Sequence, residues 1–245
     1  MVAPRNIKLV VQYHGRDYAG WQYQPKLRTI QGELEAAVYR LTGQRVTLHG
    51  AGRTDAGVHA VGQVANFTIT HGLPIGKYRD GLNFYLPGDI VVREASLVSP
   101  AFNARFDAVY RQYHYLIGRH RSALDAERRW EMSEKLDIQL LEKAAEGIIG
   151  IYDFTACCVV SSQKDNNRCV VYASHWEDEG SVLCYQIIAD RFVHSMVRSL
   201  VGMMVDVGRG AMTIGKFNQI LAGGDHTAIR RVAPARGLCL VAVGY

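Results

Sequence analysis

Ile7-Lys8-Leu9-Val10-Val11-Gln12-Tyr13 reads as a half-buried strand, and the order of patterns that it opens recurs once along the chain. After it, Ile30, Leu34, Val38 and Leu41 fall at spacings of four, four and three, an apolar helical stripe. Two strand-like runs follow at 45–49 and 63–69, then a short helix pattern at 75–85 and a strand at 90–95. The order begins again with a strand at 112–117. Asp137 is placed to cap a helix carrying Ile138, Leu141, Ala145, Ile148 and Ile149. Strands follow at 170–176 and 183–189, and Thr213 is placed to cap a helix with Ile214, Phe217, Ile220 and Leu221. A strand at 238–243 closes the chain, and an additional helix pattern carries Val193, Val197, Leu200, Val201 and Val205.

Two β-α-β-β-α-β units in tandem predict an α+β fold of two ferredoxin-like (RRM-like) halves. The expected division is 1–106 and 107–245. Joined edge to edge, such halves make one extended, mainly antiparallel sheet with helices on one face and a concave cleft on the other.

Composition narrows the function classes. The chain has 245 residues, 48% hydrophobic and 21% charged, with six prolines and no low-complexity tract, which excludes disorder, collagen and coiled coil. No apolar run approaches the roughly 20 residues that span a bilayer, and the N-terminus lacks a secretory pattern. Five cysteines with no metal-ligand spacing read as reduced thiols of a cytosolic protein, with no metal site. The net charge of +5 lies wholly in residues 1–106, which hold 12 Lys and Arg against 7 Asp and Glu. Such an excess fits either a solvated surface or a polyanionic ligand.

The most unusual stretch is His49-Gly50-Ala51-Gly52-Arg53-Thr54-Asp55-Ala56-Gly57-Val58-His59-Ala60. Its glycines permit positive φ and close backbone approach. In an extended segment Arg53 and Asp55 point the same way, and a guanidinium beside a carboxylate keeps it ionised. The spacing matches neither a P-loop nor a dinucleotide fingerprint. On pattern alone the stretch is first a glycine-rich turn with a structural Arg–Asp pair, and second a nucleophile or base.

The segment Gly52 to His59 nevertheless resembles the signature of the tRNA pseudouridine synthase A family. The resemblance continues through Tyr18-Ala19-Gly20-Trp21-Gln22, Thr29-Ile30-Gln31-Gly32-Glu33-Leu34 and Leu86-Pro87-Gly88-Asp89-Ile90. It extends to Phe102-Asn103-Ala104-Arg105-Phe106, Tyr110-Arg111-Gln112-Tyr113-His114-Tyr115 and Phe192-Val193-His194-Ser195-Met196-Val197-Arg198. Tyr152 stands where the family usually has His, and Gln112 where a second basic residue is frequent.

The resemblance implies isomerisation of uridine to pseudouridine at positions 38, 39 and 40 of the tRNA anticodon stem-loop, by a cytoplasmic homodimer. It implies no cofactor, because the reaction is redox-neutral and adds no group. Asp55 matches the essential aspartate, as nucleophile at C1′ or base at C2′. Tyr113 matches the active-site aromatic that packs on the target base, and Arg198 the ion-pair partner of the aspartate. Arg53 is a candidate for phosphate or for the space that a flipped base leaves. Further candidates for RNA contact are Arg16, Lys26, Arg28, Lys77, Arg79, Arg119, Arg121, Lys164, Arg168, Arg230 and Arg231. An alternative is a non-catalytic RNA-binding module of two RRM-like halves, although the usual RRM aromatic string is absent. A small-molecule enzyme using Asp55 as acid or base is a third.

Overall fold

A computed structural model describes residues 3–163 and 165–245. By contacts the chain divides into two units, Met1–Val109 with Leu240–Tyr245, and Tyr110–Cys239.

The first unit runs β1 (Arg5–Tyr13), α1 (Ile30–Thr42), β2 (His49–Gly50), β3 (His59–Ile69), α2 (Gly76–Tyr85) and β4 (Ile90–Val98). β1 lies between β3 and β4, antiparallel to both, and β2 adds to β3. Its alternation puts Ile7, Leu9 and Val11 into a core that also takes Leu34, Phe67, Tyr78 and Leu82. α1 starts where the Thr29 side chain accepts from the Gly32 N–H, and stops at Gly43, whose φ of 72° ends the helix. Asn83 on α2 bonds both backbone groups of Val92 on β4, at 2.9 and 2.7 Å, and so pins the helix to the sheet edge.

One strand expectation fails. Of 45–49 only His49 enters a strand. The Leu48 N–H donates instead to the Glu35 carboxylate on α1, at 3.0 Å, and Arg45 lies over the Tyr39 ring. The segment is tied to a helix by side chains, and the backbone ladder has nothing to extend.

The second unit runs β5 (Tyr110–Gly118), β6 (Trp130–Glu131), α3 (Ile138–Glu146), β7 (Gly150–Asp153), β8 (Arg168–Asp178), β9 (Val182–Ala189), α4 (Met196–Gly208) and α5 (Ile214–Gly223). The order is β5-β9-β8-β7, all antiparallel, with β6 parallel to β5. Asp137 and Thr213 cap α3 and α5 as expected, accepting from Leu140 N and Lys216 N. α3 ends at Glu146, so Ile148 and Ile149 follow the helix rather than extend its stripe. α4 is buried at every position but Arg198, and its Asp206 is compensated by Arg231 at 2.9 Å.

The last strand, β10 (Leu238–Gly244), gives its residues from Leu240 onward to the first unit. There Gly62 abuts the Val241 carbonyl. The Val109 N–H donates to Gly244 O at 2.8 Å, and Tyr245 Oη to Ala104 O at 2.8 Å. The chain end therefore folds back beyond a division drawn at residue 106. Both units are α+β with mainly antiparallel strands.

Candidate active site

In the first unit the carboxylate stands on the loop between β2 and β3. Asp55 opens a tight turn, with its carbonyl accepting from the Val58 N–H at 3.2 Å. Gly57, third in that turn, has φ +80°, a region that side chains with a Cβ avoid. Asp55 is partly exposed, and Thr54 before it is buried.

The segment after β1 holds this loop in place. Tyr13 Oη and Thr54 Oγ1 share a hydrogen bond of 2.8 Å, and the Trp21 N–H donates to Thr54 O at 3.0 Å. Gln63, fully buried on β3, donates to Gly52 O at 2.9 Å. The Gly15 N–H donates to His59 Nδ1 at 3.1 Å, which puts any proton of a neutral ring on Nε2. Two glycines make the approach possible. A Cβ on Gly15 would strike the Val58 carbonyl, and one on Gly20 (φ +96°) would sit 2.7 Å from Thr54 O. Tyr13, Gly15, Gly20, Trp21 and Gln63 are positioning residues to which the sequence reading gave no role. Gly20 and Trp21 lie in a block that carries the family resemblance, and Gln63 shares its strand with a second buried amide, Asn66.

Arg53 is exposed and has no hydrogen bond or ion pair among the described residues. The structural Arg53–Asp55 pair read from the pattern is therefore absent there, and Arg53 offers its guanidinium to solvent.

In the second unit Tyr113 sits on β5 opposite Ile187 of β9, 7% exposed. Phe192 meets it edge to face, ring centres 5.0 Å apart at 83°, and so fixes its tilt. Arg198 is in the first turn of α4, after Ser195, whose φ of 64° is unusual for a residue with a side chain. That residue keeps Val193 out of the helix, which begins at Met196. Arg198 Nε donates to Ala233 O at 2.8 Å, and the Ala233 N–H returns a bond to Arg198 O at 3.0 Å. The guanidinium is thus held through its Nε. Tyr115, two residues from Tyr113 on the same face of β5, donates to Pro234 O at 2.8 Å. Burial pushes its phenol well above the usual range, while the Arg198 and Arg236 charges pull the other way.

Several other basic positions are already engaged. Arg28 binds Glu33 at 2.8 Å and stacks on Tyr18 at 4.4 Å. Arg79 pairs with Asp80, Arg119 with Asp178 and Arg231 with Asp206. Lys77 is exposed and without such a partner among the described residues. Lys164 lies outside the described residues. Among the described residues no cluster of His, Cys, Asp and Glu could hold a metal ion, and no helix is long and apolar enough to cross a membrane.

Comparison with known proteins adds an independent observation. The family profile described as tRNA pseudouridine synthase matches residues 9–107 and 144–245. Relatives called tRNA pseudouridine synthase A match along nearly the whole chain. The protein of Acetivibrio thermocellus is 40% identical over 98% of this chain and 100% of its own. That of Citrifermentans bemidjiense is 39% identical over 98% of each. That of Bradyrhizobium diazoefficiens is 42% identical over 97% of this chain and 98% of its own.

Proposed function

The chain belongs to the tRNA pseudouridine synthase family, and from that premise we propose that it isomerises uridine at positions 38, 39 and 40 in the anticodon stem-loop of tRNA. In this reaction the C1′–N1 bond of the nucleotide breaks, the uracil turns, and a C1′–C5 bond forms while the hydrogen of C5 leaves as a proton and N1 takes one up. No group is added and no electrons are exchanged with a second reactant.

Asp55 is proposed as the group that releases the base, by attack on C1′ or by taking a proton from C2′. Either role needs a carboxylate held still, because misplacement by about 1 Å can cost 10²-fold in rate. The observation that carries this reading is the clamp on the loop: the family signature occupies a turn held by Tyr13, Trp21 and Gln63. Tyr113 is proposed to pack on the target base, with Phe192 setting its tilt. Arg198 is proposed as the cationic partner of Asp55, its guanidinium held through Nε on the Ala233 carbonyl.

A base inside a stem must leave the stack before it can react, at a cost of a few kcal/mol that contacts to the RNA backbone offset. Arg53, exposed beside Asp55, is proposed to contact phosphate or to fill the vacated space. We further propose that the protein acts as a homodimer in the cytoplasm; its five free thiols suit a reducing compartment.

The test is incubation with tRNA tritiated at C5 of uridine. Release of label in proportion to pseudouridine formed is expected. Binding without release would favour the non-catalytic RNA-binding module, and neither would favour small-molecule chemistry.

A further inference from the structure

A groove of about 390 Å³ runs along the outer face of α1, lined by Tyr23, Gly32, Glu35, Tyr39, Arg40 and Arg45 among others. Its chemistry is unlike an ordinary helix surface. Tyr23 and Tyr39 are 53% and 46% exposed, large aromatic rings left in water. The Tyr23 ring rests against Gly32: a Cβ there would meet it at 3.4 Å, and the Tyr23 N–H is tied to the Gln31 side chain at 3.0 Å. A glycine inside a helix costs about 1 kcal/mol against alanine, and here it seats an exposed aromatic ring. The Arg45 guanidinium lies 4.9 Å from the centre of the Tyr39 ring, and Arg40 has no hydrogen bond or ion pair among the described residues. Glu35 Oε1 accepts from Leu48 N and Gln31 Nε2, while its Oε2 has no partner among the described residues.

Aromatic rings, two guanidiniums and one open carboxylate oxygen are together complementary to a single nucleotide. Bases stack on tyrosine, phosphate is held by arginine, and a carboxylate accepts from an exocyclic amino group. Uracil has no such group, so the base that fits is not the one that reacts. The groove is also near the reactive loop along the chain, because Trp21, which holds Thr54, is two residues from Tyr23.

Resting on the function proposed above, we propose that this groove binds an unpaired nucleotide of the tRNA whose base carries an exocyclic amino group. The base stacks on the tyrosines and donates to Glu35, with its phosphate on Arg40 and Arg45. The groove adds affinity for RNA and takes no part in the chemistry.

The test compares wild type with Tyr39→Ala, Tyr39→Phe and Tyr23→Ala, using an unmodified tRNA transcript and the tetranucleotides of cytidine, adenosine and uridine as probes. Thermal melting checks that each variant is folded. Wild type should bind the cytidine or adenosine probe several-fold tighter than the uridine probe. Tyr39→Ala should raise KM for the transcript about tenfold, the worth of one lost stack, leave kcat unchanged and erase that preference. Tyr39→Phe should stay near wild type. If Tyr39→Ala does not fold, Tyr23→Ala carries the same expectation. An unchanged KM in the folded alanine variants, or no preference among the probes, overturns the proposal. Probe binding needs no turnover. A wild type that releases no tritium would therefore sink the proposed reaction and still leave the groove open to judgement.

Discussion

At the scale of single residues the first unit concentrates its precision on one turn. Asp55→Asn keeps the shape of the side chain but can act neither as nucleophile nor as base. Pseudouridine formation should stop, while affinity for tRNA stays within about tenfold, roughly 1.4 kcal/mol. Appreciable turnover by a clean preparation would remove Asp55 from its proposed role. Gly20 tests the clamp rather than the chemistry. Its φ of +96° strains an alanine, and the new Cβ would press on Thr54 O from 2.7 Å. Gly20→Ala should cost about 1–3 kcal/mol of stability. In the molecules that remain folded, kcat should fall at least tenfold because the loop carrying Asp55 is pushed aside. A folded variant with wild-type kcat would show that this contact does not set the position of the aspartate.

At the scale of elements, β5 carries Tyr113 and Tyr115 on one face and His114 on the other. His114 is half-buried, and burial holds its imidazole below the usual range, with the nearby Glu177 charge opposing the shift. The unfolded chain therefore takes up a proton near pH 6.5 that the folded protein still refuses. Stability should fall as the pH drops below about 6.5 toward the folded-state value, by at most about 1.4 kcal/mol per pH unit. Asp153 and Asp225 are held low by hydrogen bonds from Thr155 and Thr227, so their contributions are lost only below the ordinary carboxylate range. Urea midpoints at pH 7 and pH 5, compared between wild type and His114→Gln, isolate this histidine, and the variant should show the smaller loss on acidification. Equal losses in both proteins would show that His114 does not couple folding to protons.

The same elements show what a sequence does and does not display. The stripe at Ile30, Leu34 and Val38 and the caps Asp137 and Thr213 were legible, because helix faces and caps are written within four residues. The segment at 45–48 was not. Its alternation of exposed and buried residues imitates a strand, and the bond from Leu48 N to Glu35 that decides otherwise spans 13 residues. The site divides along the same line. Asp55 is legible in its motif, but its clamp joins Tyr13 to Thr54 across 41 residues, and nothing local in either segment announces the other.

At the scale of the whole molecule, charge is distributed unevenly between the units. The first holds 12 Lys and Arg against 8 Asp and Glu, and the second 16 against 15. A polyanionic substrate bound mostly through such charges releases counterions, so affinity should fall steeply as salt rises. The structure separates two residues that the sequence treats alike. Arg28 is held by Glu33 and by the Tyr18 ring, with Asp89 at 3.7 Å, so its charge is already compensated. Lys77, in the first turn of α2, is exposed and has no such partner among the described residues. Lys77→Gln should therefore flatten the slope of log affinity against log salt by roughly 0.7–0.9, the signature of one lost phosphate contact. Arg28→Gln should leave that slope nearly unchanged and instead lower the melting temperature, because Tyr18 and Glu33 lose the cation between them. Binding to a tRNA transcript from 50 to 200 mM salt, with a melt of each variant, decides the matter. A flattened slope in Arg28→Gln alone would mean that RNA displaces the acidic partners of Arg28 and that Lys77 is an ordinary surface charge.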